Sequence, residues 1–170
     1  DRLAGTRGRR RSPDLSTSGM GRTGMVTLDD ALAAIEQFRL LRHSSLGRLE
    51  VGGKYSLSTR GSAGHEADQF WPEEWEHADR CGVYLILDVS MRLLYVGKAS
   101  MGNQLWNRLG TYFGGRGKCK IKHDQWSDRP EFVVTVAVPE ESTWEAPALE
   151  EFLIGKLQPV DNVRGCRQLS

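Results

Sequence analysis

Residues 81–89 read CGVYLILDV and residues 93–97 read LLYVG. Both are short apolar runs rich in β-branched and aromatic residues, the pattern of buried strands. The connection between them, DVSMR at 88–92, is short enough for a hairpin. Tyr84 in the first run and Tyr95 in the second stand eleven residues apart. A hairpin therefore brings these two rings to neighbouring strands.

The chain downstream adds elements of both kinds. In LWNRLGTYF at 105–113, Leu105, Leu109 and Tyr112 recur at helical spacing. A helix over this stretch sets Arg108 and Tyr112 one turn apart on one face. FVVTVAV at 132–138 is a third strand, short and β-branched. In LEEFLIGKLQPVDN at 149–162, Leu149, Phe152, Leu153 and Leu157 form the buried stripe of a helix. Ser142 and Glu145 have capping-box spacing, and Pro147 is tolerated close to the helix start.

Upstream, residues 1–25 hold six arginines, two aspartates and few large apolar residues, a composition expected to be a disordered basic tail. Residues 26–80 form an extension. Its helix over 28–42 starts at a capping box from Thr27 to Asp30 and carries Leu28, Leu32, Ile35, Phe38 and Leu41 on one stripe. Residues 48–51 and 54–58, joined by Gly52 and Gly53, read as a hairpin. Phe70, Trp71 and Trp75 are expected to pack as an aromatic lid on the first strand of the domain at 81–170.

The order of these strings resembles the GIY-YIG nuclease superfamily. The resemblance rests on GVY at 82–84, YVG at 95–97, Arg108 on the following predicted helix, and a helical glutamate, Glu150, twelve residues before Asn162. It runs from Cys81 to about Val163 and is nearest to the GIY-YIG domain of the bacterial excision-repair nuclease. Valine fills the middle of both tripeptides, and Met101, Gly102 and Asn103 look like an insertion before Arg108. The resemblance implies an α+β fold: a small, three-stranded, mostly antiparallel sheet flanked by helices, here with the helix and hairpin extension. It implies a metal-dependent endonuclease that hydrolyses DNA phosphodiesters, with Glu150 as the ligand of Mg²⁺ or Mn²⁺. Tyr84 and Tyr95 become the paired tyrosines of proton transfer. Lys98 and Arg108 supply positive field, Arg108 also suiting a phosphate oxygen. Tyr112 orients phosphate or water, and Asn162 ties the chain after the helix back to the strands. The alternative is a non-catalytic nucleic-acid-binding module on the same scaffold, and the choice between DNA and RNA stays open.

Composition bounds the remaining classes. With 170 residues, 39% of them hydrophobic, the chain can bury one core with appendages. No stretch has the length of a membrane span and no signal peptide is legible. Cys81, Cys119 and Cys166 form no C-x-x-C pair, so free thiols and a cytoplasmic setting are expected. Cys119 and His123 are four apart, but further zinc ligands are not apparent. No small organic cofactor is implied, and the oligomeric state is open.

Net charge is +1, and residues 81–170 hold eleven basic and ten acidic residues. Contact with nucleic acid therefore needs local clustering. Arg116, Lys118, Lys120 and Lys122 alternate with Gly117, Cys119 and Ile121, and no acid lies between Phe113 and Asp124. In an extended segment these four cations share one side. Replacing Lys118, Lys120 and Lys122 with alanine is expected to weaken DNA binding alike for all sequences. It should also reduce the log–log salt slope, measured by titration at several salt concentrations, by roughly two to three, about 0.9 per phosphate contact.

Overall fold

The computed structural model describes residues 24–57, 76–114, 120–121 and 126–162. Its centre is a hairpin of β3 (Gly82–Leu87) and β4 (Leu93–Ala99). The turn between them is held by the buried Asp88 carboxylate, which accepts from Ser90 N at 2.8 Å, Ser90 Oγ at 2.7 Å and Arg92 N at 2.9 Å. Strand β7 (Phe132–Ala137) pairs antiparallel with β3 on its other side, so β3 is central and all six of its residues are buried. A central strand with both faces covered reads as a continuous apolar run, which is why GVYLIL lacks alternation.

These three strands are the ones expected from the sequence. The second edge differs. Strands β1 (Glu50–Val51) and β2 (Tyr55–Ser56) do not pair with each other as a hairpin; both pair antiparallel with β7, making the sheet five-stranded. Glu50 and Val51 face Ala137 and Val136, while Tyr55 and Ser56 face Val133 and Phe132. A two-residue type I′ turn needs positive φ at both central residues, and neither Gly52 nor Gly53 has it. Gly52 instead stays in the ladder, its amide donating to Thr135 O at 2.8 Å. Residues 52–54 thus face two residues of β7, and the extra one bulges out.

Helix α1 (Leu28–Leu41) starts at the expected capping box, Thr27 and Asp30 each accepting from the other's backbone amide. Its buried face is Ala31, Ala34 and Ile35, with Leu28, Leu32 and Phe38 half-buried beside them. Leu41, expected on this stripe, is 73% exposed. Small residues at 31 and 34 let α1 lie close against α3 (Glu145–Leu157), and the stripe turns toward them. The Phe38 and Phe152 rings meet at 5.4 Å. Both helices cover the face that carries Val83, Leu85, Leu87, Val96, Val134 and Val136, so residues 26–57 share the core of the strands. The other face holds Tyr84, Ile86, Ala99 and Val133, covered by α2 (Leu105–Leu109), Phe113 and Leu57. Within the long connection after α2, β5 (Phe113–Gly114) and β6 (Lys120–Ile121) form a small antiparallel ribbon.

Ser142 and Glu145 do not make the expected capping box. Ser142 closes a 3-10 turn (Glu140–Ser142), and α3 starts after Trp144 without a side-chain cap. Glu145, buried, points instead to Arg42 at the end of α1, with Arg42 Nε on Oε1 at 2.5 Å and Nη2 on Oε2 at 2.7 Å. Ser142 Oγ adds a 2.6 Å bond. Burial alone would raise this carboxyl, but the bonds from Arg42 and Ser142 bring it below its ordinary value. Such a group adds stability above its unfolded pKa, near ~4.3, and loses it as pH falls through the folded value. Glu145→Ala leaves Arg42 buried without its partner, which is expected to cost about 3 kcal/mol at pH 7 in denaturant unfolding. The gap to the wild type should narrow below about pH 4.

Candidate active site around the edge strand

Two glycines explain why the paired tripeptides have their form. In the β3–β4 register Tyr84 faces Gly97 and Ile86 faces Tyr95, so both tyrosines lie on one face, diagonally across the strands. The Tyr84 ring lies on Gly97: a Cβ there would stand 2.4 Å from Tyr84 Cζ and from its hydroxyl. At Gly82 a Cβ would come 2.1 Å from Val136 O on β7. Glycine is therefore set by ring packing at 97 and by strand approach at 82.

Tyr112 completes a triad. The helix expected over 105–113 ends at Leu109, and Gly110 leads into turns in which Thr111 N donates to Arg108 O and Tyr112 N to Leu109 O. Glycine is a poor helix residue, and these shorter bonds tighten the last turn. The turn carries Tyr112 onto the other two rings. The Tyr84 hydroxyl donates to that of Tyr112 at 3.3 Å, and the Tyr112 hydroxyl to that of Tyr95 at 3.4 Å. Ring centroids lie 5.8–6.3 Å apart. Burial pushes the Tyr84 phenol well above its ordinary range; Tyr112 and Tyr95 add to the rise, and Arg108 opposes it. Burial also raises Tyr95, with Tyr112 and then Glu150 adding and Arg108 opposing. Without added positive charge both phenols keep their protons through neutral pH.

The other half of the site lies across β4. Lys98 faces Val83, on the side of the sheet that α3 covers. Glu150, next to the buried Leu149, presents a carboxylate that is 12% exposed and forms a close ion pair with Lys98 Nζ through Oε2. Arg108 Nε donates to the Lys98 carbonyl at 3.3 Å, linking α2 to the same strand. Helix α3 stops where Gln158 enters the left-handed region at φ 49° and Pro159 follows. The turn delivers Asn162 to the free edge of β4, where its Oδ1 accepts from Val96 N and its Nδ2 donates to Val96 O, both at 2.8 Å.

All seven residues Tyr84, Tyr95, Lys98, Arg108, Tyr112, Glu150 and Asn162 thus gather on the two sides of one strand. Arg116, Lys118, Lys122, Cys119 and His123 lie outside the described residues, as does the aromatic segment at 70–75; Lys120 pairs with Gly114 in the ribbon. Sequence reasoning missed Trp126, whose ring lies 5.8 Å from those of both Tyr95 and Tyr112. Its indole N–H is buried and finds no acceptor among the described residues. A tryptophan inside a charged connection carries no periodicity that would single it out. Among the described residues no group of three or more His, Cys, Asp or Glu side chains could hold a metal. A cation here would rest on Glu150, a donor set that suits an ion keeping most of its waters.

Compared with known families, residues 80–163 match the UvrC-like GIY-YIG domain. The match covers every one of the seven gathered residues and agrees with the span delimited by the motifs. No curated protein and no solved structure matches the chain.

Gly97→Ala forces its new methyl into the buried Tyr84 ring. Overpacking of this kind is expected to cost about 1–3 kcal/mol in thermal or denaturant unfolding. In a Tyr84→Val background, with the ring gone, the same substitution should cost less than about 1 kcal/mol. Equal costs in the two backgrounds would show that the ring does not dictate the glycine.

Proposed function

Since residues 80–163 belong to the GIY-YIG nuclease superfamily, we propose that the chain is a metal-dependent endonuclease acting on DNA phosphodiester bonds beside β4. Its products would carry 5′-phosphate and 3′-hydroxyl ends. The observation that carries the reading is the gathering of three linked phenols, Arg108 and a nearly buried carboxylate around one strand.

A phosphodiester resists attack because its charged oxygens repel the nucleophile. A Mg²⁺ or Mn²⁺ ion on Glu150 would supply Lewis acidity and neutralise that charge. The remaining tasks fall to the chain's own side chains. Arg108 offers its planar guanidinium fork to a non-bridging oxygen. Tyr95 is the less buried of the paired tyrosines and stands at the accepting end of the hydroxyl chain, so it is the one suited, once added positive charge has released its own proton, to take a proton from water. Positive charge from Arg108 lowers its phenol, against the effect of burial. Tyr112 holds both partners through its hydroxyl, and Asn162 fixes the strand on which Tyr95 and Lys98 ride.

Glu150→Ala is expected to abolish cleavage of plasmid or branched DNA in Mg²⁺ while the circular dichroism spectrum is unchanged and DNA is still bound. Tyr95→Phe, which deletes one hydroxyl, should slow single-turnover cleavage by about two to four orders of magnitude. A chain that binds DNA but never cuts it, in any metal, would be a binding module instead.

A further inference from the structure

The Glu150 carboxylate has already found a cation. Its side chain is 12% exposed, and a carboxylate this deep is costly unless paired. Among the described residues its ion-pair partner is Lys98, which takes Oε2. The backbone of Lys98 is fixed: it faces Val83 in the ladder, and its carbonyl accepts from Arg108. The ammonium is not fixed in the same way, because its side chain is 37% exposed on a flexible four-carbon stem. A divalent ion on Glu150 and an ammonium on the same carboxylate repel each other at contact distance.

The geometry points to Lys98 as a built-in competitor for the metal. It neutralises Glu150 in the metal-free protein and must swing away for a divalent cation to bind. A phosphodiester arriving at the site gives the released ammonium a new partner, so phosphate and cation favour each other's binding. This inference rests on the reading of Glu150 as the metal ligand. It goes beyond that reading by assigning to one lysine the coupling between metal and nucleic acid.

The first test measures Mn²⁺ binding without DNA, from the loss of the free-ion electron paramagnetic resonance signal. Lys98→Gln is expected to bind Mn²⁺ up to about tenfold tighter than the wild type, because no half-exposed ion pair then has to break before the metal binds. Lys98→Arg, whose planar fork can hold both carboxylate oxygens, should bind more weakly. Equal or weaker affinity in Lys98→Gln overturns the proposal. If that variant fails to fold, wild-type or tighter affinity in Lys98→Arg overturns it alone. Wild-type affinity in Glu150→Gln would overturn the ligand assignment itself, a different failure.

The second test is the mirror image and runs in EDTA, by fluorescence anisotropy with a short DNA duplex. Glu150→Gln frees the ammonium and should raise DNA affinity severalfold. In a Lys98→Gln background the same change should have a smaller effect. An equal gain in both backgrounds would mean that the carboxylate repels DNA by its charge alone, which also overturns the proposal.

Discussion

Tyr84 faces Gly97 across the β3–β4 ladder, and this one register fixes the positions of the other site residues. A slip by one residue would turn every side chain of a strand to the opposite face. If β4 slipped, Tyr95 would face α3, away from Tyr84 and Tyr112, and Lys98 would leave Glu150. The glycine guards against this mechanically, because only at that position does the ring find a neighbour without a side chain. Apolar pressure from both faces does the rest: β3 is buried along its whole length, with helices α1 and α3 on one side and α2 on the other.

The site follows from how β4 ends the sheet. Among the described residues the outer edge of β4 is bridged by backbone only at its start, where Leu93 N donates to Val26 O beside the Thr27–Arg92 bridge, so the rest would expose open backbone groups. Such edges are covered or blunted in stable proteins. Here the cover is a side-chain amide, Asn162, imitating a strand at Val96. Because the strand is an edge, groups on its two faces can serve one substrate. The phenols approach from the α2 side and Glu150 from the α3 side. A central strand could not be shared in this way.

Much of this was legible in the chain. The three strands, the capping box at Thr27 and the stripe of α3 follow from periodicity and residue type, and the spacing of Tyr84, Tyr95, Arg108, Glu150 and Asn162 named the family. The misreadings share a physical origin, since each was a local signal outweighed by a distant partner. Gly52 and Gly53 look like a turn, yet β7 offered Gly52 a ladder bond. Ser142 and Glu145 look like a cap, yet Arg42 offered the carboxylate two stronger bonds. Leu41 fits the helical stripe, but Ala31 and Ala34 permit the closer helix contact and turn the face away. The Lys98–Glu150 pair spans 52 positions and had no local signature at all.

The clamp at Val96 also sets an order of events. It joins residues 66 positions apart, and such distant connections form late because loop entropy opposes them. During synthesis the tyrosines and their hairpin emerge early, and residues 26–28 can already cover the start of β4, but its edge at Val96 stays open until residue 162 has left the ribosome. Until then β4 can recruit a foreign strand. The nascent chain is therefore most vulnerable to mispairing in the interval between making the hairpin and making the asparagine that seals it.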